Sequence, residues 1–167
     1  MKKTYNTFNK AADSALTKLR QEASTTLTDP HMFKPIESYI SKWVTSMQNG
    51  MAGESDIELA TMVLERAGVQ ALQWLLDNHA PFNHEEMVQL LCRKQHDYGH
   101  NNITNFGIVG VAIRICDKIA RIDNLSKRQK PNNESLVDSY LDIVGYSMIS
   151  IMLAEDSFKL PLKGEKK

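Results

Sequence analysis

Apolar residues recur at steps of three and four along almost the whole chain, and the strict apolar–polar alternation of a strand is absent. This spacing gathers apolar side chains on one face of a helix, so it predicts an all-α protein. Pairs such as Asn49-Gly50 and Tyr98-Gly99 separate the periodic segments. We therefore predict a bundle of six or seven helices, over residues 7–27, 34–48, 55–68, 69–78, 84–98, 107–124 and 134–155.

Polar residues at the predicted helix ends support these boundaries. Ser55 and Glu58 have the spacing of a capping box, and Gly68 is a plausible helix stop. Asn83 and Asn133 each precede an apolar-periodic segment and can cap it.

Length and charge limit the class of protein. The chain has 167 residues, in which 20 Lys and Arg balance 20 Asp and Glu. This length fits one domain, or a domain with an extension. We assign residues 1–80 to a helical extension, 84–156 to the main domain and 157–167 to a tail that frays from Leu160. A net charge of zero argues against direct binding to duplex DNA or to an anionic membrane, but it allows a small anionic ligand in a local basic pocket.

The sequence favours a cytoplasmic protein. The basic N-terminus is not followed by an apolar run, so we predict no signal peptide. The apolar stretch 143–154 is too short to span a bilayer. Cys92 and Cys116 lie far apart without metal-type spacing, as expected of free thiols in a reducing compartment.

One charged stripe marks the sixth predicted helix. Arg114, Asp117, Lys118 and Arg121 follow at i, i+3, i+4 and i+7. They form either a solvated face with a local ion pair or a phosphate-binding stripe in which Asp117 orients a base or holds a metal.

An acidic row marks the seventh predicted helix. Glu134, Asp138 and Asp142 recur every four residues, and Tyr146 continues the row. Like charges at this spacing repel, so a compensating charge is expected. Either the basic residues of the sixth helix pair with the row, or Mg²⁺ binds to Glu134, Asp138 and Asp142.

Polar side chains crowd into the turn between the fifth and sixth helices. This turn is either an ordinary polar loop or a surface that contacts the base and sugar of a nucleotide. Its candidate binding residues are Lys94, His96, Asp97, Tyr98, Asn102 and Asn105. The pair His96-Asp97 also suggests the His-Asp metal phosphohydrolases, although the other ligands of that class are poorly spaced here.

These motifs together resemble the phage "nucleotide modification associated domain" family of the first type. The resemblance covers residues 84–156 and rests on Lys94-Gln-His-Asp-Tyr-Gly, Asn102-Ile-Thr-Asn-Phe-Gly107, Arg114-x-x-Asp-Lys-x-x-Arg121 and Glu134-Ser-x-x-Asp-x-x-x-Asp142. It implies a phage protein that handles nucleotides in the cytoplasm of the bacterial host. A more distant likeness is to the all-α MazG-like and dCTPase-like nucleoside triphosphate pyrophosphatases. They hold Mg²⁺ on two acidic helices, and Asp138 and Asp142 resemble the later acidic pair.

Two functions follow as expectations. The first is a Mg²⁺-dependent nucleotide pyrophosphohydrolase with Asp117, Asp138 and Asp142 as catalytic residues. The second is a non-catalytic protein that sequesters a nucleotide or cyclic-nucleotide signal, as an anti-defence protein would. In both, Lys94, Arg114, Lys118 and Arg121 contact phosphates. A helical scaffold whose charges only pair internally is a third reading. We also expect a homo-oligomer, because helical bundles of this kind often bury apolar faces by association.

Overall fold

A computed structural model describes residues 4–25, 29, 31, 33–51, 53–127 and 135–165. Within these residues the chain forms seven helices and no strand, which confirms the predicted all-α bundle. The helices are α1 (Phe8–Ala23), α2 (Phe33–Gln48), α3 (Glu54–Asp77), α4 (His84–Tyr98), α5 (Asn101–Thr104), α6 (Gly107–Ser126) and α7 (Leu136–Ala154).

Helix α7 is the centre of the bundle. It packs most extensively against α3 and α6, and α1 also contacts it. Its inward residues Ile143, Val144, Met148 and Met152 have no solvent exposure. By length and composition α7 could span a membrane, but 61% of it is buried inside the bundle, as in the core helix of a soluble protein.

Helix α3 is one continuous helix, so the predicted boundary at Gly68 between two shorter helices is wrong. A Cβ built on Gly68 would lie 2.4 Å from the Cβ of Ser147 on α7. The glycine therefore lets two helices cross closely instead of ending one of them. The Ser147 hydroxyl donates a 2.7 Å hydrogen bond to the Leu64 carbonyl at the same crossing.

The helix starts match the predictions in part. Asn83 caps α4 as predicted, since its side chain accepts a hydrogen bond from the Glu86 amide at 3.0 Å. Helix α3 begins at Glu54 with Gly53 as its N-cap, two residues before the predicted cap Ser55, and the Gly53 N–H donates to Asp56. Ser135 caps α7, whereas the predicted cap Asn133 lies outside the described residues. Helix α1 ends at Ala23 with Ser24 as its C-cap, so the predicted end at Leu27 is wrong.

The tail packs against α1, which corrects the expectation that it frays from Leu160. The Phe8 amide donates to the Pro161 carbonyl at 2.8 Å, and the Lys163 amide donates to the Asn9 side chain at 2.8 Å. Phe158 is buried edge-on against Phe8, with ring centroids 5.7 Å apart. Residues of the predicted extension, the main domain and the tail therefore share one hydrophobic core.

Candidate functional site

A cavity of about 420 Å³ opens between α4, α5, α6 and α7, a size that suits a small-molecule ligand. Its α7 wall consists of residues at helical spacing on one face, namely Leu141, Asp142, Gly145, Tyr146 and Ile149. The α4 wall is also one face of its helix, and its residues are Met87, Leu90, Leu91, Lys94, Gln95 and Tyr98. Asn102, Ile103, Arg114 and Phe158 complete the lining. Apolar residues form most of this surface, and the charged groups lie on three different helices.

Asp142 organises the basic side of the cavity. One carboxylate oxygen lies 2.7 Å from the Lys118 ammonium, and the other lies 3.6 Å from the Lys94 ammonium. The Lys94 side chain is 49% exposed, compared with 23% for Lys118. The tighter, more buried pair therefore fixes the carboxylate, while the long contact leaves Lys94 able to turn towards a ligand.

Arg114 adds a further positive charge to the cavity. Its guanidinium donates a long 3.5 Å hydrogen bond to the Tyr146 hydroxyl and lies 5.8 Å from the centroid of that ring. Within the described part of the chain the structure gives it no carboxylate partner. Lys94 and Arg114 thus line the cavity together with the single carboxylate of Asp142, so its described lining carries a net positive charge although the whole chain is neutral.

Two polar groups of the predicted turn also reach the cavity. The Oδ1 atom of Asn102 is buried and has no hydrogen-bond partner among the described residues. Tyr98 lies at the rim and is mostly exposed. A ligand with an N–H donor would satisfy the Asn102 oxygen, and a flat ring could stack on Tyr98.

Several predicted binding residues lie elsewhere. His96 and Asp97 contact each other at 3.2 Å on the surface, with most of both side chains in solvent. Neither lines this cavity, and neither does the exposed Asn105. Arg121 also points away, because its guanidinium contacts the Ser135 carbonyl at 3.2 Å and the Ser139 hydroxyl.

The three predicted catalytic carboxylates are not brought together. Asp117 is exposed on α6 and does not line the cavity. Asp138 accepts hydrogen bonds from the Ser135 amide at 2.7 Å and from its hydroxyl at 2.8 Å, so it completes the cap of α7. Only Asp142 faces the cavity.

The predicted Mg²⁺ ligands fit a shared ion poorly in this arrangement. Asp138 is committed to the helix cap, and both oxygens of Asp142 face ammonium groups that a cation would have to displace. The described residues contain no group of three side chains placed to hold a metal. Glu134 lies outside the described residues, so the magnesium site stays a prediction.

The sequence motifs missed the apolar part of the site. Met87 and Leu91 precede Lys94 at helical spacing on α4, which is a signal for one continuous face. Tyr146 continues the acidic row by one turn, but its role as the partner of Arg114 needs the packing of α6 on α7. Phe158 comes from the tail, and nothing in the local pattern connects it to the cavity.

No family model, curated protein or solved structure matches this chain. The resemblance to the phage nucleotide-modification family and to the pyrophosphatases therefore stays a prediction, carried by the motifs alone.

Proposed function

We propose that the protein binds a nucleotide in the cavity between α4 and α7 and holds it without cleaving it. The supporting observation is the surplus of positive charge in a mostly apolar cavity, with Arg114 lacking a carboxylate partner among the described residues. A bound anion would compensate this charge in a partly desolvated place, where charge-assisted hydrogen bonds are strong.

The rest of the cavity suits the remainder of a nucleotide. The apolar walls from Leu91, Ile103 and Leu141 can bury a base. The unsatisfied oxygen of Asn102 can accept a hydrogen bond from a base N–H, and Tyr98 can stack at the rim. Lys94 and Arg114 then contact the phosphate end.

Retention of an intact nucleotide is preferred over its hydrolysis because two of the predicted catalytic carboxylates already have other partners. Asp142 pairs with Lys118 and Lys94, and Asp138 caps a helix, so both have roles that need neither metal nor attacking water. In this account Asp142 is the counter-charge of the two lysines in the absence of a ligand. The pyrophosphohydrolase remains the competing proposal, and the same assay separates the two.

A thermal-shift assay with a panel of ribo-, deoxy- and cyclic nucleotides in EDTA tests the proposal. At a hundred times its dissociation constant a true ligand should add about 2.7 kcal/mol of stability and raise the Tm. The matched pair of variants is Arg114→Met, which removes the guanidinium in the cavity, and Arg93→Met, which removes an exposed arginine of α4 outside it.

We expect the shift to vanish in Arg114→Met and to persist in Arg93→Met. The absence of a shift with every nucleotide, or equal shifts in both variants, would reject the cavity as a nucleotide site.

A further inference from the structure

A second cavity of about 420 Å³ lies on the opposite face of α7, bounded also by α2, α3 and α6. Leu136 and Tyr140 supply its α7 wall, and they lie about half a turn around the helix from Gly145 in the first cavity. No motif in the sequence pointed to it, and the proposed nucleotide site does not use it.

One wall of the second cavity is aromatic. The rings of Trp74 and Tyr140 are stacked, with centroids 3.8 Å apart and planes within 3° of parallel. Phe33 lies 5.9 Å from Tyr140 at a tilt of 53°. Trp74 and Phe33 are only partly buried, so flat apolar surface remains for a ring to contact.

A buried donor without an acceptor lies in the same lining. Gln70 is 1% exposed, and its Oε1 accepts a hydrogen bond from the Asp29 amide at 3.2 Å. Because a backbone N–H can only donate, this bond fixes which end of the Gln70 amide is the oxygen. The other end, Nε2, has no partner among the described residues. Buried donors are normally satisfied, so an acceptor is expected here.

The charges around the second cavity differ from those around the first. Lys34 and Lys127 are outnumbered by the three carboxylates of Asp29, Glu37 and Asp123, and His31 and Tyr140 are the other titratable groups of the described lining. Lys127 is already paired with Asp123 at 2.5 Å. Among the described residues this rim has no positive surplus, so it favours an uncharged ligand over a phosphate.

We propose that this second cavity is a binding site for an uncharged planar ring compound with a carbonyl oxygen. The ring would lie against Trp74 and Phe33, and the carbonyl would accept the hydrogen bond that Gln70 Nε2 lacks. The proposal is independent of the nucleotide site, because none of the described residues lines both cavities.

Uridine and inosine serve as carbonyl-bearing probes and adenosine as a ring without a carbonyl. Binding is followed by NMR, through intermolecular nuclear Overhauser effects between the nucleoside base and the rings of Phe33, Trp74 and Tyr140. Gln70→Met keeps the side-chain length but removes the donor. Gln89→Met is the matched control, since Gln89 is exposed on α4 and its side chain donates to Glu85 on the same helix.

We expect contacts from uridine or inosine to these rings, weaker binding of adenosine, and a roughly three- to tenfold loss of affinity in Gln70→Met, the range of one neutral hydrogen bond. Gln89→Met should give the same contacts between the nucleosides and the three rings as the unaltered protein does. The proposal is overturned if neither nucleoside contacts the rings, or if a folded Gln70→Met binds them unchanged. If Gln70→Met does not fold, the presence or absence of contacts between the nucleosides and the three rings in the unaltered protein decides whether the proposal stands.

Discussion

At the scale of single residues, Asp142 is the side chain whose substitution distinguishes nucleotide binding from nucleotide hydrolysis. Its two oxygens face Lys118 at 2.7 Å and Lys94 at 3.6 Å, so it competes with any bound phosphate for the same ammonium groups. A hydrolase would need this carboxylate for turnover, whereas a protein that only binds the nucleotide does not.

We therefore expect Asp142→Asn to keep nucleotide binding and to tighten it by up to about fivefold, the scale of a partly exposed ion pair. Isothermal titration calorimetry measures the change. Asp117→Asn is the matched control, since it removes the same charge from an exposed position of α6 outside the cavity. Loss of binding in Asp142→Asn alone would contradict the assigned role.

Cys116 gives a second prediction at this scale. Burial, together with the nearby carboxylates of Glu37 and Asp117, raises the pKa of its thiol to about 11. Because the thiolate is the nucleophile, we expect Cys116 to react with iodoacetamide much more slowly at pH 7.5 than a free thiol does. Peptide mass spectrometry follows the alkylation, with the unfolded protein as the reactive control. Equal alkylation rates of Cys116 in the folded and the unfolded protein would refute the predicted protection of this thiol.

At the scale of the elements, the closest helix contact at a described glycine is the crossing of α3 and α7. Gly68 and Ser147 meet there, and no room remains for a Cβ on the glycine. The sequence suggested a helix stop at Gly68, because glycine commonly ends helices. A glycine required by a neighbouring helix looks the same in a local pattern, so only the packing distinguishes the two.

We expect Gly68→Ala to lower the free energy of unfolding by about 1–3 kcal/mol through overpacking. Gly145→Ala on α7 is the control, because the nearest atom there is Cε of Met87 at 3.1 Å, the flexible end of a side chain that can move. Urea denaturation followed by circular dichroism measures both variants. A Gly68→Ala variant that is as stable as Gly145→Ala would show that the crossing has room for a methyl group.

At the scale of the whole molecule, alkaline pH should weaken the fold. Burial raises the pKa of Cys116 to about 11 and that of Tyr140 to about 12, and it also raises the pKa of Cys92. The unfolded chain therefore loses these protons at lower pH than the folded protein does.

Their stabilising contribution is complete below about pH 9, the ordinary thiol pKa, and is lost as the pH rises towards 12. Urea titrations between pH 8 and 11 should show a falling free energy of unfolding, and Cys116→Ser should flatten the fall. A free energy that stays constant to pH 11 would contradict the burial of these groups.

The sequence was most informative where a signal was local. Helical periodicity predicted the all-α fold, and Asn83 was predicted as the cap of α4. Arg114 and Asp142 were selected from helical spacing and Lys94 from a cluster of polar residues, and the fold brings all three to one cavity. Arg121 shares the spacing of Arg114, but its guanidinium contacts Ser135 and Ser139 at the start of α7. Such long-range contacts, like those of Phe158 and Gln70, depend on packing that no local pattern encodes.

The most direct test of the central claim is to incubate the protein with the nucleotide panel, with Mg²⁺ or EDTA, and to identify free and protein-bound species by mass spectrometry. We expect one intact nucleotide to be retained in both conditions and released on denaturation, and retention to be lost in Arg114→Met. Conversion of that nucleotide to a cleaved product only with Mg²⁺, and loss of this conversion in Asp142→Asn, would contradict the account and establish a hydrolase instead.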